Sequence, residues 1–375
     1  MSDGKSTKSR PKGKGRSKKE VNTFYGLLDK PNIRRVTLGK YTCDTWYGNA
    51  AYFNSNDWSH SMLGYEYSNK IALDPSVKRK SSKSFSSTGD TTTTTNNNND
   101  SNDNETKDNS LWIDQLYVCE FCFAYTMNNN EFQKHRACCT YRVYQPTVGR
   151  LVYRDDTSSS PYIIREVRGF QHSLFAQNLC LFGKLFLDDK SVYYNIDYFN
   201  FYIIYGIDNT DDAQDELFFK PMGFFSKELL AYDNDNNLAC ICIFPPFQRR
   251  HLGSLLIEFS YELAKLTPGQ YYSGPEFPLS PFGKVSYLNY WSKKLATVIY
   301  AHLNDKDTFT LKDLATWTGF RKEDILLTLE YMKLLQTDNH GNVQLLLGNF
   351  QLFCKEHNID PIQEKSMIKE DCLLI

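Results

Sequence analysis

Nowhere does this 375-residue sequence offer the roughly 20 consecutive apolar residues that a bilayer-crossing helix needs. Its start also lacks the short apolar segment that directs secretion. Both absences predict an intracellular chain without membrane contact. A regular disulfide framework is missing as well: the ten cysteines are unevenly spaced, which argues against a small cross-linked extracellular scaffold. Net charge is nearly absent, with 43 basic against 44 acidic side chains, so the chain as a whole carries no field that would steer it to nucleic acid.

That balance hides a segregation. Lys5 to Lys19 is almost entirely Lys, Arg, Ser and Gly, too polar to fold alone. Residues 1–30 therefore read as a basic disordered arm, suited to nuclear import or weak, non-specific contact with DNA phosphates. A second polar stretch, 58–110, contains five threonines followed by four asparagines and reads as a disordered insertion. Folded segments are predicted on either side of it. Val36 to Thr42 is rich in β-branched residues, and from Leu111 to Leu303 strand-like and helix-like runs alternate densely. Leu238 to Phe244 is predicted as one buried strand. After it, Leu252, Leu255, Leu256, Phe259 and Leu263 recur at the spacing of one buried helix face. Leu311–Thr318 and Arg321–Leu335 are predicted helices of a helix-turn-helix or winged-helix-like segment (304–350), with 351–375 as a C-terminal tail.

Cys119, Cys122, His135 and Cys139 form a C-x2-C-x12-H-x3-C array. The short first spacing lets two thiolates grip one tetrahedral ion, the longer gap fits a hairpin leading into a helix, and x3 predicts His135 and Cys139 on one helical face. The donor set suits Zn2+ in a closed, structural site, a C2HC finger over 117–142. Cys138 falls off that face. A scaffold role fits better than DNA reading, because a single finger reads only about 3 bp and its gap carries few basic residues.

Gln248, Arg249, Arg250, His251, Leu252, Gly253 and Ser254 lie between the predicted strand and the predicted helix. Backbone N–H groups converge at such a junction and the helix dipole favours an anion, with the two arginines placed to contact a pyrophosphate. By itself this arrangement is common.

Taken together, the metal array, Asn178–Leu187, Pro221–Glu228, Leu238–Gly253, Leu256–Leu263 and Ser273–Ser280 resemble, in that order, the MYST family of histone acetyltransferases. The resemblance covers about Val36 to Leu347 apart from the insertion, and is greatest to the fungal silencing-associated branch that supplies the catalytic subunit of the SAS complex. It implies an α+β fold with a GNAT-like acetyl-CoA-binding core (143–303) inside an acetyltransferase domain spanning 31–350. It further implies Glu276 as general base, Cys240 at the active-site cysteine position and Lys184 at a position that becomes autoacetylated. Ile241, Cys242 and Ile243, the segment Gln248–Ser254, and Ser280 fall on acetyl-CoA contacts. A nuclear location on chromatin, a lysine of the histone H4 tail as acceptor (the sixteenth residue in the silencing branch) and accessory subunits of a SAS-like complex follow from the same likeness.

The chemistry agrees. An acceptor lysine is an ammonium with pKa about 10.4 and must lose a proton before it attacks a thioester. Glu276, between Pro275 and Phe277, suits proton removal if those apolar neighbours raise its pKa. Cys240 either takes the acetyl group first or lines the pocket while lysine attacks directly. One departure stands out: His251 occupies a position that is glycine in the family's acetyl-CoA loop. A requirement for positive φ there predicts backbone strain of about 1–2 kcal/mol and weaker binding. The rival readings are a weakly active or inactive zinc-finger scaffold subunit and a sequence-specific DNA-binding factor. The large apolar core speaks against the second.

Overall fold

The computed structural model describes residues 27–28, 31–49, 52, 113–157, 161–187, 195–208, 218–229, 235–302, 309–337 and 343–375. The basic run Lys5–Lys19 and the insertion at 58–110 lie outside them. A short pair, β1 (Leu27–Leu28) with β4 (Gly48–Asn49), flanks β2 (Ile33–Leu38) and β3 (Tyr41–Asp44). Across the long insertion, β2 runs parallel to β5 (Ile113–Val118), with Ile33 opposite Ile113 and Leu38 opposite Val118. The pairing survives the inserted length because loop-closure cost grows only logarithmically. With β6 (Tyr125–Thr126) the order of this sheet is β3-β2-β5-β6, and α1 (Asn129–Cys138) follows.

The central sheet is antiparallel, ordered β12-β10-β9-β8-β7. Its strands are β7 (Arg150–Asp155), β8 (Tyr162–Arg168), β9 (Phe199–Gly206), β10 (Lys220–Glu228) and β12 (Cys240–Ile243). β9 and β10 are buried on both faces for most of their length, which explains why they read as unbroken aromatic and β-branched runs. Successive side chains alternate faces. Phe201 and Phe224 lie on the side of α2 (Ser173–Gly183), where Phe224 and Phe182 both pack on Phe244. Tyr202 stacks on Phe225 at 4.6 Å on the other side, and both meet Phe259 of α3 (Leu252–Lys265).

Helix α3 is buried more widely than one face. Its predicted stripe enters the main core, while Ile257 and Tyr261 enter a second one. That second core is built by α4 (Pro281–His302), α5 (Leu311–Thr318), α6 (Lys322–Tyr331), the hairpin β14 (Leu335–Thr337) and β15 (Val343–Leu345), and α7 (Leu347–Glu356). A capping box between Thr310 and Asp313 starts α5 where the sequence predicts. The predicted helix Arg321–Leu335 is shorter. It ends at Tyr331, Lys333 takes φ 57, and Leu335 instead pairs with Leu345.

Residues 351–375 are not a tail. Phe353, Cys354 and Ile359 fill the second core and Ile368 the first. The physical cause is Glu258 in α3, only 4% exposed, whose carboxylate needs partners. Ser366 donates its hydroxyl to Oε1 at 2.6 Å and the Met367 N–H reaches Oε2 at 3.0 Å. Beyond them Lys369 pairs with Asp155 at 2.8 Å, and the Leu374 N–H donates to the Val152 carbonyl on the edge strand β7. No helix among the described residues is long and apolar enough to cross a membrane.

Candidate active site and metal centre

The predicted strand Leu238–Phe244 breaks at Ala239. Its first part, β11 (Asn236–Leu238), pairs in parallel with β13 (Gly274–Pro275), whereas β12 stays on β10. Ser226, fully buried, holds both sides of the break: its carbonyl accepts from Ala239 N–H at 2.7 Å and its hydroxyl from Cys240 N–H at 3.2 Å. Along the break lies a cavity of about 610 Å³. Because β11 carries β13, the Glu276 N–H donates to the Leu238 carbonyl at 2.8 Å. Half-buried Glu276 and buried Cys240 thus line the same cavity. Ile241, Cys242 and Ile243 line it too, on the free side of an edge strand. Burial, then the neighbouring Cys240, pushes the Cys242 thiol well up, which marks it as unreactive.

The far wall is the start of α3. Leu252, Gly253 and Ser254, whose N–H groups precede the first intrahelical donor, Leu255 N–H to the His251 carbonyl, line the cavity with Gln248, Arg249 and His251. A side chain at Gly253 would approach only Ile243, at 3.7 Å, so packing does not demand glycine there. Its effect is to leave backbone N–H groups bare towards an anion. Gln248 is tied down, its amide donating to the Ile243 carbonyl at 2.9 Å. The two arginines part. Arg249 lines the cavity, whereas Arg250 turns away to Asp208 at 3.3 Å and over the Phe247 ring. Ser280 stands at the cavity rim, its hydroxyl accepting from Gly283 N–H at the start of α4. Lys184 caps α2, 3% exposed, beside Cys180, which in turn neighbours the lining residue Cys240; Lys184 itself does not line the cavity.

His251 has φ 59 and Arg249 φ 61, so two non-glycine residues hold the left-handed conformation within one turn. Such strain persists only where surrounding structure over-determines it. Replacing His251 with glycine removes about 1–2 kcal/mol of strain and adds part of that back as unfolded-state entropy. We expect His251→Gly to raise the thermal midpoint by roughly 2 °C. Calorimetric titration with acetyl-CoA on the same sample reports whether the imidazole crowds the ligand. An unchanged or lower midpoint would show that the loop is not strained at this position.

In the second cluster, the ligand atoms of Cys119, Cys122, His135 and Cys139 all lie within 4.8 Å of one another. Asn128 caps α1 by accepting from Asn130 and Glu131 N–H, which sets the helix that carries His135. Cys139 is not on a helical face as expected, since α1 ends at Cys138 and Cys139 is the extended cap residue. The turn of the chain aims its thiol instead. Cys138 is exposed, donating to the Lys134 carbonyl, and takes no part. Hydrogen bonding to Cys122, then burial, pushes the Cys119 thiol far above its ordinary range, a cost that a dication reverses. The donor set fits a closed tetrahedral zinc site.

This cluster is joined to the cavity. Phe123, between the second ligand and Ala124, has φ 59 and is 1% exposed; its ring meets Phe175 at 5.5 Å and Phe182 and Phe244 at 6.0 Å. Phe244 directly precedes the Pro245–Phe247 turn that leads into the Gln248–Ser254 loop. Tyr41 supports the same turn, its ring against Phe247 at 5.1 Å and its hydroxyl donating to Asp208. Sequence reasoning missed these supports, and also Trp46, Phe186 and Phe282, whose rings meet at the cavity rim. Trp46 and Tyr47 are adjacent aromatics in the sequence, but nothing in residue order says which site they border.

The MOZ/SAS family model matches residues 146–373. Over 366 residues the chain is 37% identical to the histone acetyltransferase SAS2 of Saccharomyces cerevisiae, covering 97% of this chain and 93% of that protein. It is 34% identical to the histone acetyltransferase Tip60 homolog of Caenorhabditis elegans over 70% of this chain, and 39% identical to the histone acetyltransferase of the MYST family 1 of Arabidopsis thaliana over 59%. It spans only 54% and 45% of those two longer proteins. A family match over more than half the chain, with near end-to-end likeness to one member, shows that this chain belongs to the MOZ/SAS, or MYST, family of histone acetyltransferases.

Proposed function

We propose that this acetyltransferase moves the acetyl group of acetyl-CoA to a lysine of the histone H4 tail, the sixteenth residue, in the regulation of chromatin silencing. The observation that carries the reading is one cavity that joins an anion-binding helix start to the Glu276–Cys240 wall. The N–H groups of Leu252, Gly253 and Ser254, with Arg249, would receive a pyrophosphate. The outer edge of β12, where Gln248 already donates to the Ile243 carbonyl, offers the Ile241 backbone groups and the Ile243 N–H to an extended amide-bearing arm. Acetyl-CoA supplies the activated acyl group. Glu276 removes the proton from the acceptor ammonium, and Cys240, on the same cavity, either receives the acetyl group, with CoA leaving as its thiol, or shapes the pocket.

In this reading the central sheet with α3 is a GNAT-like core (143–303), and residues 117–142 form a C2HC finger that holds Zn2+ as a scaffold. The segment 304–350 is winged-helix-like, supported by the order helix, helix, two-stranded wing. The likeness to SAS2 supports work at chromatin in the nucleus together with accessory subunits of a SAS-like complex, and the basic N-terminal arm would add weak DNA contact.

Labelled acetyl-CoA with core histones, with and without candidate subunits, tests the proposal when the products are mapped by mass spectrometry. Label at the sixteenth residue of H4 is expected. Label confined to other histones, or no transfer under either condition, rejects it.

A further inference from the structure

We propose that Arg321, contributed by the C-terminal helical segment, is a positioning residue that sets Glu276 for proton removal by holding the peptide group just before it. The inference rests on Glu276 being the base. Arg321 is the N-cap residue of α6 and its side chain is 17% exposed. Its guanidinium donates in three directions: Nη2 to the Pro275 carbonyl, Nη1 to the Asn236 side-chain oxygen at 3.2 Å, and Nε to Asp324 at 2.9 Å. It also lies over the Phe277 ring at 5.4 Å. Residues on both sides of Glu276 are therefore held by one planar fork, a task for which lysine lacks the geometry.

The peptide unit linking Pro275 to Glu276 is fixed at both ends. Its carbonyl accepts from Arg321, and its N–H donates to the Leu238 carbonyl at 2.8 Å, on the β11 side of the strand break. Rotation of that plane would swing the Glu276 side chain, and the two opposed hydrogen bonds prevent it. The loop is shaped to admit the clamp. A Cβ at Gly274 would fall 2.1 Å from the Asp324 carboxylate and 2.5 Å from the Arg321 guanidinium, so only glycine lets the ion pair lie against the backbone. Asp324, fully buried, is pushed up to about 6 by burial despite Arg321, and its Oδ2 anchors the fork at Nε. A further tie joins the Ser273 N–H to the Gly319 carbonyl at 2.9 Å. None of these contacts touches the Gln248–Ser254 loop.

The test is a double-mutant cycle in the full chain, with its accessory subunits if activity requires them. Arg321→Ala should lower kcat about ten- to a hundredfold, as a misplaced catalytic group does, and leave the calorimetric Kd for acetyl-CoA within about twofold. In a Glu276→Gln background it should add almost no further loss, because its effect runs through the carboxylate. Arg321→Lys, which keeps the charge beside Asp324 but not the fork, should fold and show an intermediate kcat. An equal loss in both backgrounds would overturn the positioning role while leaving Glu276 as base. Wild-type kcat in a folded Arg321→Lys protein would overturn it too, even if Arg321→Ala fails to fold. Wild-type turnover in Glu276→Gln alone removes the base reading, and this inference with it.

Discussion

Glu276→Gln is expected to lower kcat for lysine acetylation by about 10²–10⁴-fold at neutral pH. The substitution keeps the shape and size of the side chain and leaves the Glu276 N–H bonded to Leu238, so the thermal midpoint should barely move. What it removes is the proton acceptor. With a pKa of about 10.4, only roughly one acceptor lysine in 2,500 is neutral at pH 7. A glutamine variant must draw on that fraction, which grows tenfold per pH unit. The defect should therefore shrink steadily towards pH 9.5 as the ammonium deprotonates unaided. Rate profiles from pH 6.5 to 9.5 with saturating acetyl-CoA read this directly. Two parallel profiles, offset by a constant factor or coincident, would place the base elsewhere.

Loss of the metal centre should have an effect of similar weight on the whole molecule. Cys119→Ser, or exhaustive chelation, is expected to lower the thermal midpoint by more than about 10 °C and to abolish acetyl-CoA binding. The knuckle has little apolar support of its own: Phe132 is the buried residue of α1. It is nonetheless rooted in the main core through Phe123. Withdrawing a buried phenylalanine costs about 3–5 kcal/mol, a large share of the 5–15 kcal/mol that stabilises a typical domain. The vacated space adjoins Phe244, at the base of the loop that would receive the pyrophosphate. Elemental analysis should find one zinc per wild-type chain. Cys138→Ser is the control, since its exposed thiol lies outside the cluster. A Cys119→Ser protein that melts and binds like wild type would refute the metal's structural role.

Much of this architecture was legible in residue order. The metal ligands follow from spacing, the buried strands from their unbroken aromatic runs, and helix α5 is expected at Leu311–Thr318, though its capping box shows only in the structure. The family likeness pointed to Glu276 and Cys240, and β11 with β13 brings them to one cavity. What escaped depends on partners distant in sequence. An apolar run such as Leu238–Phe244 contains no sign that it must break, because the break is held by Ser226 on a neighbouring strand and by β13, which comes later. Arg321 looks like an ordinary residue at a helix start, yet its acceptors lie at Pro275 and Asn236. The adjacent arginines 249 and 250 look equivalent on paper. They diverge because buried Asp208, on the far side of the loop, captures one of them.

The order of synthesis gives the closing segment a further meaning. Residues 366–374 emerge from the ribosome after every element they complete: the carboxylate of Glu258 in α3 and the open edge of β7. Until they dock, α3 must keep that charge in water, and it cannot take its final depth against the sheet. A chain in which residues 366–374 are undocked therefore presents an unsealed edge strand and a loosely seated α3. Such edges are templates for aggregation. Docking of residues 366–374 thus seals the β7 edge and seats α3 in a single step.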